Sequence, residues 1–403
     1  MHGDQIRVLQ VESGCKEFTG VSNYLLQQYR KIDHEKIHYD FLYARYNSMK
    51  MGKADPALVG SEVFSLETGD ENNKLLCFLK IAKGLRKVVK ENGYDIIEVD
   101  TSSIFVAFVC WLAVFGSQNI SFVAHAHTGG IVFASGSIRD RHPILMDMAD
   151  WLCRFIVRKA SDCLFACSEA AGRYTFGQKA IRQDNFRIIH NAIDLESFRP
   201  DPKVRESIRK ENGITGNTAV FGYAGRMDSV KNLDFLISVF AELYHRNEDS
   251  VLWMVGEGDE RENLQMRAEE LGLGASVVFF GQRPDVNHLM QGMDAFIFPS
   301  LMEGLGMVAI EAQASGLPTV VSDGVPDDVM ITPLVQKVSL KASVSEWTDA
   351  ILLHMCACSE RKAYLEELAR AGYDVWDEAK KITKFYEQIA EQKRLGYGMK
   401  LGI

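Results

Sequence analysis

No stretch of this 403-residue sequence stays apolar for the roughly 20 residues that a membrane-crossing helix requires. The most apolar run, Ile104 to Phe115, stops at about a dozen, a length that suits a core helix or a helix lying in a membrane surface. Also missing is a positively charged leader followed by an apolar segment: MHGDQIRVLQV runs straight into a strand pattern, so the expected compartment is the cytoplasm. The 8 cysteines show no C-x-x-C pairing, which argues against a zinc ribbon and leaves buried, reduced thiols as the expectation. A basic surplus is absent as well. The net charge is -9, with residues 1–200 near neutral and 201–403 acidic, so a nucleic-acid partner held by phosphate neutralisation is not expected. After the first strand comes SGCKEFTG rather than G-x-G-x-x-G, which disfavours a dinucleotide-dependent dehydrogenase.

What is present is an ordinary globular composition, 47% hydrophobic and 25% charged, in a chain long enough for two domains of about 200 residues. Short β-branched runs alternate with segments of helical period: IRVLQV, YDIIEV, SFVAHAH and DCLFACS, each followed by a helix-like stretch. The pattern loosens into DLESFRPDPK and restarts with AVFGYAG, SVLWMVG, SVVFFG, AFIFPS and PTVVSD. Such alternation predicts parallel α/β architecture twice over. The expected division is a Rossmann-like domain over 1–195, a linker region over 196–218, a second Rossmann-like domain over 219–375, and a closing amphipathic helix and tail over 376–403. Two such sheets place ligands at the carboxyl ends of their strands.

The chemistry-bearing residues sit at those ends. Gly225 and Arg226 close the strand AVFGYAG, and Lys231 follows five residues later at a helix start; two cations at one strand end suit a diphosphate. A neighbouring acid such as Asp228 is the competing partner for Arg226. After AFIFPS, Gly304 and Gly306 permit a tight turn into a helix near Met307, whose unpaired N–H groups suit an anion. Glu303 and Glu311 flank that turn in an E-x(7)-E arrangement. Carboxylates repel phosphate but accept hydrogen bonds from diols, so the combination points to a ligand carrying both groups, as a sugar nucleotide does.

These residues resemble the retaining glycosyltransferases of family 4, which have the GT-B fold. The resemblance rests on Gly225-Arg226 with Lys231-Asn232, GEGDER at 256–261, EGLGMVAIEAQASGLP at 303–318, HNAID at 190–194 and the terminal helix. EAQASGLP and DVNHLMQGMDAFIFPS look most like the branch that builds bacterial capsular polysaccharides and exopolysaccharides. The resemblance implies two Rossmann-like domains facing each other across a cleft, the C-terminal helix crossing back to the N-terminal domain, which would bind the acceptor. It implies that Arg226 and Lys231 hold the donor diphosphate, Glu303 the transferred sugar, Gly306, Met307 and Val308 phosphate or sugar through backbone N–H groups, and Glu311 the ribose, with the base near Gln282 and Arg283. In the first domain, Thr19-Gly20 matches the glycine-rich loop, leaving Gly20 for close approach to phosphate. His127 of AHAHTGG is the expected residue near the sugar, and His125 is expected to face elsewhere.

The resemblance thus implies a hexosyl transfer with retained anomeric configuration, by a same-face or a covalent route, from a nucleotide sugar, UDP-linked by likeness, to a glycan or lipid-linked acceptor in surface-polysaccharide synthesis. No D-x-D triplet occurs, so no metal and no other cofactor is expected, the two cations standing in for a divalent ion. A peripheral contact with the inner membrane leaflet is a further expectation, its local support being the 104–115 run with Arg139, Arg141, Arg154, Arg158 and Lys159. The competing readings are a nucleotide-sugar epimerase of the same fold, which would need no acceptor, and a non-catalytic partner of another transferase.

Overall fold

The computed structural model describes residues 5–12, 20–45, 60–68, 74–101, 103–117, 119–127, 143–358 and 360–395. The chain divides into two compact units, Met1–Ala192 with Val375–Ile403, and Ile193–Asp374. The terminal helix therefore belongs to the first unit, as the resemblance implies.

In the first unit, β1 (Ile6–Glu12), β2 (Ile37–Arg45), β3 (Val63–Glu67), β4 (Ile96–Thr101), β5 (Ser121–Ala126), β6 (Cys163–Ala166) and β7 (Phe186–Ile188) form a seven-stranded sheet in the order β3-β2-β1-β4-β5-β6-β7. Every neighbouring pair is parallel. β4 and β5 are buried along their whole length, as strands covered on both faces must be. Helices α2 (Lys74–Asn92), α3 (Ile104–Val114), α4 (Pro143–Ala160) and α5 (Glu169–Phe176) pack over one face, where Leu9, Val11, Ile97 and Val99 meet Ile81, Cys110 and Val157. Over the other face lie α1 (Gly20–Lys31) and the terminal helix, where Val8, Tyr39 and Val123 meet Tyr24, Ile382 and Tyr386. The 104–115 run is a core helix, with Ile104, Val106, Ala107, Cys110, Ala113 and Val114 buried. Among the described residues, no helix is long and apolar enough to cross a membrane.

In the second unit, β8 (Ala219–Ala224), β9 (Ser250–Val255), β10 (Val277–Gly281), β11 (Ala295–Phe298), β12 (Thr319–Ser322) and β13 (Val335–Val338) form a parallel sheet in the order β10-β9-β8-β11-β12-β13. The order of strands reverses direction between β8 and β11, the kind of switch point at which open α/β sheets bind ligands.

The stretch 196–218, expected to link the units, is instead built into the second. Asp201 caps α6 (Pro202–Glu211) by accepting from the Lys203 N–H, and Pro202 opens the helix. From α6, Arg205 donates to the carbonyls of Gln291 and Met293 and Arg209 to that of Gly292, while both pair with Asp294. Arg361 adds bonds to the carbonyls of Met290, Gln291, Met293 and Ser315. Three guanidinium groups thus satisfy the last carbonyls of α7 (Val286–Gly292), whose negative end attracts cations, and tie this stretch to the unit.

Candidate functional site

At the switch point of the second unit, the loops after β8 and β9 touch backbone to backbone. A Cβ at Gly256 would collide with the carbonyl oxygen of Gly225, and one at Gly258 with that of Met227. The Met227 N–H donates to the Glu257 carbonyl at 2.8 Å, and the Glu260 N–H to the Met227 carbonyl at 3.0 Å. The GEGDER turn therefore sets the path of the loop that carries Arg226 and Lys231.

Lys231 ends a 3-10 turn, and Asn232, at φ 56, turns the chain into the next helix. Its ammonium lies 2.6 Å from Glu303 Oε1, which also accepts from Ser300 Oγ at 2.5 Å. The structure thus joins two predicted site residues in one ion pair, because β8 and β11 are neighbours. An ammonium has three donors, so this contact leaves two for another acceptor. Glu303 is anchored by its own N–H, which donates to the Gly324 carbonyl at 3.1 Å.

Immediately beyond, Gly306 takes φ 89 as the N-cap of a helix over Met307–Ala314 and brings no side-chain cap. The amides of Met307 and Val308 in its first turn are left for an outside acceptor. Further along that helix, the Glu311 carboxylate has no hydrogen-bond or ion-pair partner among the described residues. Burial pushes its pKa up to about 7, although part of the side chain remains solvent-accessible.

Two expected contributors stand apart. Arg226 is 62% exposed and pairs with Asp228 at 2.6 Å, the competing partner that its sequence neighbourhood offered. Arg283 makes a two-pronged contact with Asp285, at 2.8 and 2.7 Å, and with the exposed Gln282 follows β10, an edge strand two places from β8.

In the first unit, Gly20 opens α1, while Thr19 lies outside the described residues. His127 follows β5 and is buried; its Nε2 lies 2.7 Å from Asp100 Oδ1 and its Nδ1 3.0 Å from Asn191 Oδ1. The expectation that His125 faces elsewhere is corrected. Residues two apart on a strand share a face, and the two imidazoles lie 4.0 Å apart between centroids. His125 Nδ1 is 2.8 Å from Glu98 Oε1, and Glu98 Oε2 accepts from the Tyr386 hydroxyl at 2.5 Å. The Tyr386 hydroxyl in turn accepts from Gln10 and from Tyr39, both at 3.1 Å. Burial lowers the pKa of His127 to about 4 and raises that of Glu98 to about 7, so the cluster favours neutral groups.

Asp100, His125 and His127 are the one group among the described residues with metal-ligand chemistry, each offering an atom within 4.8 Å of the others. The Asp100–His127 contact of 2.7 Å is a hydrogen-bond distance. Ligands on a tetrahedral zinc, with bonds of about 2.0–2.1 Å, stand about 3.3 Å apart. The arrangement fits proton sharing better than coordination.

Residues 204–367 match the family model described as glycosyl transferases group 1, and residues 18–197 that of glycosyltransferase family 4. A protein of Bacillus subtilis (strain 168) named as glycosyltransferase EpsF is 30% identical over 97% of this chain and 99% of its own. The chain belongs to glycosyltransferase family 4. An Escherichia coli UDP-Gal:alpha-D-GlcNAc-diphosphoundecaprenol alpha-1,3-galactosyltransferase is 26% identical across 64% of this glycosyltransferase and 66% of its own chain. HepE from Anabaena, solved in complex with UDP and glucose, superposes with a TM-score of 0.65 at 18% identity, over 97% of this chain and 100% of its own. That likeness establishes the GT-B fold.

Sequence reasoning about this glycosyltransferase missed Glu98, Asp100, Asn191 and Tyr386. A signal for two of them was present: in YDIIEVD, Glu98 and Asp100 are spaced two apart on an otherwise apolar strand. Register sets Asp100 beside His125.

Proposed function

We propose that this glycosyltransferase moves a hexosyl group from a UDP-sugar to a lipid-linked glycan acceptor in surface-polysaccharide synthesis, with retention and without a metal ion. The observation that carries the reading is the Lys231–Glu303 pair at the switch point, beside an uncapped helix start. As the anomeric C–O bond breaks, the leaving diphosphate takes the electron pair and gains negative charge. The spare N–H groups of Lys231 and the amides of Met307 and Val308 would stabilise that charge, with Arg226 joining once it exchanges Asp228 for phosphate. The acceptor oxygen forms the new C–O bond and passes its proton to a donor phosphate oxygen. Glu303 would grip sugar hydroxyls and Glu311 the ribose, both as hydrogen-bond acceptors. Gly20 would give the phosphate close backbone approach, His127 would stand by the sugar, and Gly225, Gln282 and Arg283 would line the nucleotide. UDP and a lipid-linked acceptor are supported by what HepE holds and by the name of the E. coli relative. An acceptor of that kind puts the working enzyme at the inner face of the cell membrane.

Thermal stabilisation by a panel of nucleotide sugars tests the donor, since a ligand at 100 times its Kd stabilises by about 2.7 kcal/mol. UDP-sugars should stabilise, EDTA should leave transfer intact, and NMR of the product should show retained configuration. No response to UDP-sugars, conversion of donor without acceptor, or loss of transfer in EDTA would each overturn the corresponding part.

A further inference from the structure

A surface helix normally turns its apolar stripe inward. In the first unit, α4 carries a second one outward. Ile144, Leu145, Met148, Trp151, Leu152 and Phe155 recur at i, i+1, i+4, i+7, i+8 and i+11, a single helical stripe, and all are exposed, Ile144 to 77% and Trp151 to 65%. The inward stripe is separate and contains the buried Cys153 and Val157. Another outward apolar group, Leu75, Leu76 and Leu79, begins α2. α3 packs against both helices, and its Phe105 and Phe108 are half-buried against the core of this unit. All three helices return from the carboxyl edge of one parallel sheet, so their first turns gather at that edge. It is the edge at which β5 leads into His127.

The charge on this layer runs against that of the chain. In a protein of net charge -9, α2 exposes Lys80, Lys83, Arg86, Lys87 and Lys90 against one acid, Glu91, while α4 carries Asp147 and Asp150, the latter paired with Arg154, and ends in Arg158 and Lys159. An apolar stripe with an indole, flanked by cations, matches the interface of an anionic bilayer. A second copy of the chain fits less well, because self-pairing across a two-fold axis would bring basic surfaces together.

We propose that the α2–α3–α4 layer docks on an anionic lipid bilayer, with α4 lying in the interface and the basic residues of α2 on the lipid head groups. The inference rests on the lipid-linked acceptor of the proposed function and deepens it, since docking would bring the acceptor's head to the sheet edge that carries His127. The apolar run at 104–115 is half core, so it brings to this surface only its outward residues, such as Leu112 and Phe115.

The test is co-sedimentation of the full chain with vesicles of phosphatidylcholine alone or mixed equally with phosphatidylglycerol, at low and high salt. Partition should require the anionic lipid, weaken with salt, and fall at least tenfold in the double variant Met148→Glu, Trp151→Glu; Lys83→Glu with Lys87→Glu should weaken it as well. Stabilisation by UDP should be unchanged in both variants, which shows that fold and donor site are intact. Absence of partition at low salt, or wild-type partition by the Met148→Glu, Trp151→Glu variant, overturns the proposal. So does a concentration-dependent dimer, abolished by that variant, in a chain that ignores vesicles. Vesicle binding without any UDP response would instead sink the donor reading and leave this surface standing.

Discussion

In the second unit the key charges keep contact with solvent, Lys231 and Glu303 exposing 19% and 11% of their side chains, whereas in the first His127 and Asp100 expose 1% and 0%. The accessible pair can trade partners when a charged ligand arrives. The sealed cluster meets the opposite demand: burial pushes its acids up and its imidazoles down, so it holds its shape by sharing protons. One sheet edge is built to respond to charge, and the other to keep a ring in place.

The largest expected effect breaks the responsive side. Lys231→Ala should cost about 100-fold in turnover, as loss of an oxyanion donor does, and full activity with tight donor binding would dissolve the contrast. Next comes the sealed side. Tyr386→Phe removes the hydroxyl that donates to buried Glu98, so stability should fall by about 1.5–3 kcal/mol in urea titration while UDP affinity stays within about twofold. An affinity loss matching that of Lys231→Ala would show that the two sites do not differ in kind.

A smaller effect should appear with pH. Burial holds Glu311 near a pKa of about 7, and ribose hydroxyls favour the ionised carboxylate. UDP should therefore bind more tightly as pH rises from about 6 to 8, by at most about tenfold per unit below the pKa, and Glu311→Gln should flatten the profile in calorimetry. For folding the sign is opposite. The native state holds this proton more tightly than the unfolded chain, so its contribution to stability falls between the ordinary value of 4.5 and about 7, and the Gln variant lacks that slope. The smallest effect is at Arg226, whose exposed pairing with Asp228 should make Arg226→Ala change stability by less than about 1 kcal/mol. A larger shift in the urea midpoint would mean that this arginine is structural.

The second site was readable because its groups are contiguous: Gly225 to Lys231 is one loop, and Glu303 to Glu311 is one turn and helix. Their direct pairing was not readable, because it depends on β8 and β11 lying side by side. The first site gathers Gln10, Glu98, Asp100, His125, His127, Asn191 and Tyr386 from separate segments, and no local pattern announces it. His125 was misjudged although strand periodicity was enough to place it beside His127. The polar, proline-containing stretch at 196–218 has the composition of a linker, and only the carbonyls awaiting Arg205 and Arg209 reveal otherwise. Likewise, helical period marks α4 as a helix, and only packing shows which of its apolar stripes faces out.

The helix that starts at Val375 places Ile382, Tyr386, Ile389 and Ala390 in a core whose other members all precede Ala192. Synthesis runs at about 5–20 residues per second, so a nascent first unit would wait on the order of 10–40 seconds on the ribosome for this last piece. During that wait one sheet face lacks part of its cover and offers chaperones an apolar target. The inserted unit, whose sheet and core lie within 193–374, is free to finish first, so the part translated earlier is the one to mature later.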